Sequence, residues 1–139
     1  MNLTDGYRLK KNRLTTKICA IRETFEESGL LLTNPPAHTV IKDAKTRELW
    51  RQRVHDDASQ FQVLCDTHQL VPAVDKLIPF ANWITPPQER RRYNTHFFLT
   101  VLDPSIAAHE TTAADGKETV QLDWFTPDQG WHSDDLLSP

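Results

Sequence analysis

Between Lys17 and Ser28 the apolar residues Ile18, Ile21 and Phe25 recur at steps of three and four, the spacing that gathers side chains on one face of an α-helix. Gly29 stands where a left-handed cap would stop that helix. Leu30 to Leu32 then predicts an extended exit, closed by Asn34-Pro35-Pro36. Two further helical patterns follow, over about 43–56 and about 58–69; in the second, Phe61, Leu64 and Cys65 form the apolar stripe with His68 beside them. These read as a helical insertion or lid. Ahead of them all, Met1 to Thr16 is polar, carries Lys10, Lys11 and Arg13 and shows no clear period, which predicts an irregular lead-in.

After Pro72 the period shortens. Leu77 to Thr85 is rich in β-formers and aromatic residues and ends at the turn signal Thr85-Pro86-Pro87. Tyr93 to Leu102 is the clearest strand, and the near-continuous run Phe97, Phe98, Leu99, Val101 predicts burial on both faces. Asp115-Gly116 marks a turn, Thr119 to Phe125 a last strand and Pro127 the first turn of a helix. Loose alternation of helices and strands predicts one α/β domain of layered α+β type. The expected division is a lead-in over 1–16, a domain over 17–130 with the helical insertion at about 43–70, and a tail over 131–139.

Composition narrows the function classes. At 139 residues the chain can bury one core, and an apolar share of 38% makes that core thin. A net charge of −3 gives no reason to expect a nucleic-acid partner, and the one basic cluster, Arg90-Arg91-Arg92, reads first as a solvated loop. No apolar run approaches the roughly 18 residues of a membrane span. Cys19 and Cys65 are far apart with no signal peptide before them, so reduced thiols and an intracellular location are expected; Leu136-Leu137-Ser138-Pro139 carries no peroxisomal address. The four glycines are isolated, which excludes a glycine-rich phosphate loop or dinucleotide fingerprint, and no serine nucleophile elbow occurs.

The candidate chemistry lies in Arg22-Glu23-Thr24-Phe25-Glu26-Glu27-Ser28-Gly29. With about 100° per residue, Glu26, Glu23 and Glu27 fall at roughly 80°, 140° and 180° from Ile18, on one face of the helix. Glu23 and Glu27 repel each other by about 0.2–0.5 kcal/mol, and carboxylates in a last helical turn oppose the dipole by about 0.3–1 kcal/mol each. A divalent cation with a preference for oxygen ligands, Mg²⁺ or Mn²⁺, reverses the sign of both terms. Arg22, four residues before Glu26, is spaced to orient that carboxylate by an ion pair. The competing reading is a solvated acidic face, which is normal on soluble helices.

Residues 19 to 30, Cys-Ala-Ile-Arg-Glu-Thr-Phe-Glu-Glu-Ser-Gly-Leu, resemble the second half of the Nudix box, R-E-U-x-E-E-x-G-U, with Arg22, Glu23, Glu26, Glu27 and Gly29 matching and Thr24 at an apolar position. The resemblance implies a Nudix-like α/β/α sandwich with a mixed sheet, and Mg²⁺- or Mn²⁺-dependent hydrolysis of a nucleoside diphosphate derivative. By that similarity Glu26 and Glu27 are metal ligands, Glu23 is a ligand or assists the base, and Arg22 orients Glu26. Phe80 to Pro86, Arg91 to Leu99 and Trp124 to Asp128 are similar to the branch holding peroxisomal-type acyl-coenzyme A diphosphatases. That branch implies coenzyme A or an acyl-coenzyme A as substrate.

The box departs from the family pattern in its first half, where Glu is due at position 14 and Gly at position 8 and this chain has Leu14 and Arg8. Members of the resembled branch can carry a long insertion inside the box, so a truncated, incomplete domain is expected. Arg91, Arg92 and His96 are candidate substrate contacts, set against a solvated loop and a packing histidine. Glu118 is a candidate further ligand or base, set against a turn residue; Cys65 and His68 are too few for a zinc site. Asp56-Asp57 and Asp134-Asp135 read as helix-end and tail charges. Two rivals to the hydrolase stay open: a non-catalytic Nudix-like remnant that binds a ligand or partner, and a helical interaction protein.

Overall fold

A computed structural model describes residues 3–104, together with 114, 116, 119, 122–126 and 128–129, with side chains from Arg13 onward. Helix α1 runs from Leu3 to Ser28 and is the longest element. Its second half is the predicted glutamate helix. Ile21 and Phe25 are completely buried, as the apolar stripe requires, and Gly29 caps the helix at φ 78°, its N–H donating to Phe25 O at 2.9 Å. Its first half corrects the expected irregular lead-in. Leu9, Lys10, Lys11, Arg13 and Leu14 are good helix formers, and a helix already nucleated at 17–28 propagates through such residues without an apolar period.

Leu30, Leu31 and Leu32 leave α1 as a buried extended segment. It leads into β1 (Thr33–Asn34), which pairs antiparallel with β2 (Val71–Pro72). A single turn, α2 (Ala37–Val40), precedes the two predicted insertion helices, α3 (Ala44–Asp56) and α4 (Gln60–His68). Asp43 caps α3 by accepting from the Thr46 N–H at 2.9 Å. Gln69 closes α4 in the left-handed conformation. Trp50 and Val54 of α3, with Phe61, Leu64 and Cys65 of α4, complete one core with Ile21 and Phe25. The stripe foreseen for α4 is therefore buried.

A short 3-10 turn, Val74–Lys76, is tied to α1 by Lys17 Nζ donating to Val74 O at 2.9 Å. It leads to β3 (Ile78–Ile84), which forms an antiparallel hairpin with β4 (Asn94–Leu99), irregular between Pro79 and Ala81. The fold is α+β, but the strands described form two antiparallel pairs instead of the mixed sheet expected. The prediction that β4 is buried on both faces is also corrected. Phe98 packs against the core, whereas Phe97 and Leu99 are exposed, as are Phe80 and Trp83 on β3. An apolar run specifies a surface that suits burial; cover has to come from a neighbouring element, and among the described residues β3 and β4 pair only with each other.

The predicted strand at Thr119 to Phe125 is absent where it is described, since residues 119 and 122–125 have no regular structure. Gly116 has φ 72°, as the predicted turn requires. Glu118, Asp115, Pro127 and Asp134-Asp135 lie outside the described residues. Among the described residues, no helix is long and apolar enough to cross a membrane.

Two measurements test this packing. Leu64→Ala, at a fully buried position, is expected to lower unfolding free energy by about 2–5 kcal/mol in urea titration, while Leu49→Ala, at 63% exposure, should change it by less than about 0.5 kcal/mol. Burial pushes the Cys65 thiol up to about 11, with the nearby Asp66 charge adding to the shift, whereas Cys19 is exposed. Alkylation at pH 8 should therefore label Cys19 first and Cys65 only slowly. Because the folded thiol is the weaker acid, its contribution to stability is intact below the unfolded pKa of about 8.5 and is lost as pH rises from there toward 11.

Candidate active site on the last turn of α1

The angular positions of the three glutamates explain their different surroundings. Glu26, nearest the apolar stripe, is buried; Glu23 is half exposed, and Glu27 is intermediate. Arg22 joins two of them: its Nη1 donates to Glu26 Oε1 and its Nη2 to Glu23 Oε1. Partial burial works against the charge on Arg22, and the hydrogen bond to Glu26 with the charges of Glu23 and Glu26 more than offsets it, so its pKa moves up. The second oxygen of Glu26 faces His55 Nδ1 of α3 at 3.9 Å.

A second arginine meets the same turn through the backbone. Arg51, buried in α3, donates from Nε to Glu26 O at 2.9 Å and from Nη2 to Glu27 O at 2.8 Å. Those carbonyls belong to the last turn of α1, where intrahelical donors run out. Leu30 N–H, the donor that a continuing helix would offer to Glu26 O, instead bonds Ser28 Oγ at 3.2 Å. Ser28 Oγ in turn donates to Thr24 O at 2.6 Å.

Arg51 and His55 have no place in the sequence motif. A signal for Arg51 exists, though a faint one. On α3 it falls roughly 60° from Val54, at the border of the buried stripe, where a charged side chain needs a partner.

The charge cost inferred for the acidic turn is thus met largely by protein cations. A cation at a helix C-terminus contributes about 0.3–1 kcal/mol, up to about 2 kcal/mol when partly buried, which is comparable with the penalty carried by the carboxylates. The carboxylates of Glu23 and Glu26 both meet Arg22; among the described residues no group of three His, Cys, Asp or Glu side chains is arranged to hold a metal ion. In donor type the residues fit a divalent cation, because all three offer carboxylate oxygens and Glu23 and Glu26 each bond Arg22 through one oxygen only.

The other candidates lie away from this turn in sequence. Arg91 and Arg92 occupy the exposed connection between β3 and β4, where Arg92 Nε donates to Thr85 O at 3.2 Å. His96 on β4 lines a cleft of about 230 Å³ together with Ala20, Ile21 and Thr24 of α1, so this residue and the box helix border the same cavity.

The sequence model of the NUDT19 Nudix domain matches residues 4–135. The chain belongs to the Nudix family. Three similar Nudix proteins carry the name acyl-coenzyme A diphosphatase NUDT19. The Xenopus laevis protein is 34% identical over 128 residues, covering 82% of this chain and 33% of the relative. The Gallus gallus protein is 36% identical over 129 residues, with 80% and 33% covered, and the Homo sapiens protein 31% over 128 residues, with 84% and 33% covered. This chain therefore spans about a third of the length of the curated relatives it matches. No solved structure matches it.

Arg22→Met leaves the buried Glu26 carboxylate without its guanidinium partner. Its expected cost is about 1–3 kcal/mol of unfolding free energy, read as a lower urea midpoint at unchanged slope.

Proposed function

We propose that this chain is a metal-dependent Nudix-type hydrolase that cleaves the diphosphate bond of coenzyme A or an acyl-coenzyme A. The observation that carries the reading is the second half of the box, Arg22-Glu23-x-x-Glu26-Glu27-x-Gly29, on the last two turns of α1 and its cap, in a chain of this family. The relatives named acyl-coenzyme A diphosphatase support the substrate class.

In this reading Glu26 and Glu27 would hold Mg²⁺ or Mn²⁺, with Glu23 as a further ligand or as an aid to the base. Held there, such a cation would supply charge neutralisation at phosphate oxygens and acidify a water. A carboxylate of the same turn accepts the proton of the attacking water as a new P–O bond forms and the bridging P–O bond breaks. The products from coenzyme A are then adenosine 3′,5′-bisphosphate and a phosphopantetheine. Arg22 keeps Glu26 and Glu23 in fixed orientations. His96, in its cleft beside α1, and Arg91 and Arg92, on the hairpin turn, are the proposed substrate contacts, the guanidiniums suiting phosphate oxygens.

A second reading is favoured by Leu14 and Arg8, which stand where the box calls for Glu and Gly. It is a Nudix-fold scaffold that binds without turnover. One series separates the two: the chain is incubated with coenzyme A and Mg²⁺, and product is followed by chromatography. Hydrolysis should fall at least about 100-fold in Glu26→Gln and in Glu27→Gln, and cease with chelator. Calorimetric Mg²⁺ binding without product would select the scaffold, and no binding at all would sink both.

A further inference from the structure

We propose that Arg51 is a positioning residue for the metal site, locking the last turn of α1 so that Glu26 and Glu27 present their carboxylates in one orientation. The inference rests on the hydrolase reading above and adds to it a residue from outside the box. Arg51 spans the backbone carbonyls of the two proposed ligands, at 2.9 Å from Glu26 O and 2.8 Å from Glu27 O. It does so from a different element, so it fixes α1 relative to α3 as well as closing the turn.

The helix that carries the clamp is anchored at several points. Asp43 caps its start, Val54 is fully buried, and Trp50 is enclosed between the edge of His68, at 5.8 Å, and the Arg53 guanidinium, at 5.0 Å. One turn beyond Arg51, His55 faces Glu26 Oε2 at 3.9 Å, so the same helix meets Glu26 at its carbonyl and at its carboxylate. Each carboxylate leaves the backbone at the Cα that is bonded to a held carbonyl carbon. Freedom in that turn is freedom in the ligand set, and groups that orient metal ligands typically change affinity by about 10–100-fold.

A guanidinium reaches both carbonyls through a planar fork, which an ammonium cannot reproduce. Mn²⁺ titrations of the full chain, with free Mn²⁺ counted by electron paramagnetic resonance, compare the unsubstituted protein with Arg51→Lys and Arg51→Met. Circular dichroism establishes that each is folded. The expected result is Mn²⁺ affinity lower by about 10-fold in R51K and by up to about 100-fold in R51M; if R51M does not fold, R51K decides. Leu64→Ala is the control for stability alone and should retain full affinity in its folded population. Unchanged affinity in folded R51K, or an equal loss in L64A, overturns the positioning role and leaves the proposed hydrolase standing. An unsubstituted chain that binds no Mn²⁺ overturns both.

Discussion

A helix that ends in carboxylates places negative side chains where its own dipole is already negative, and in this protein two arginines make that ending stable. Arg22 works from within α1, bonding Glu23 and Glu26 through their side chains. Arg51 works from α3, bonding Glu26 and Glu27 through their carbonyls. The first neutralises charge and the second satisfies backbone acceptors that the helix can no longer serve. Removing either would expose a different deficit, so the two are not interchangeable.

This division explains why the helical middle of the chain matters to a site it does not belong to in sequence. α3 and α4 bury Trp50, Val54, Phe61 and Leu64 against Ile21 and Phe25, and the same packing that forms the core brings Arg51 to the end of α1. The core and the end of α1 are thus joined through α3. The hairpin is less constrained: β3 and β4 attach to the core chiefly through Phe98 and leave Phe80, Trp83 and Leu99 in solvent. Large exposed apolar side chains on a two-stranded ribbon are what a further layer would cover.

Much of this was legible in the sequence wherever a local rule decided it. The three- and four-residue spacing of Ile18, Ile21 and Phe25 marked the buried face of α1, Gly29 its left-handed cap, and Phe61, Leu64 and Cys65 the inner side of α4. The box motif pointed to the family. What escaped was non-local or lacked a pattern. The first half of α1 has helix-forming residues and no apolar period, so its helicity depends on propagation from the second half. Phe97 and Leu99 look like core residues until their neighbours are known. Arg51 is 25 residues from Glu26, and no spacing rule connects them.

The arginines also change what the acidic turn implies. Read from sequence alone, three uncompensated glutamates at a helix C-terminus ask for an external cation to offset their cost. With Arg22 and Arg51 in place the turn is compensated without one. The argument for metal therefore moves from stability to identity: a generic acidic face could be balanced by any lysine or arginine nearby, whereas the family motif specifies which carboxylates stand together. Compensation by fixed guanidiniums has a further consequence. Carboxylates that are already held, as those of Glu23 and Glu26 are by Arg22, need less ordering to meet any further partner.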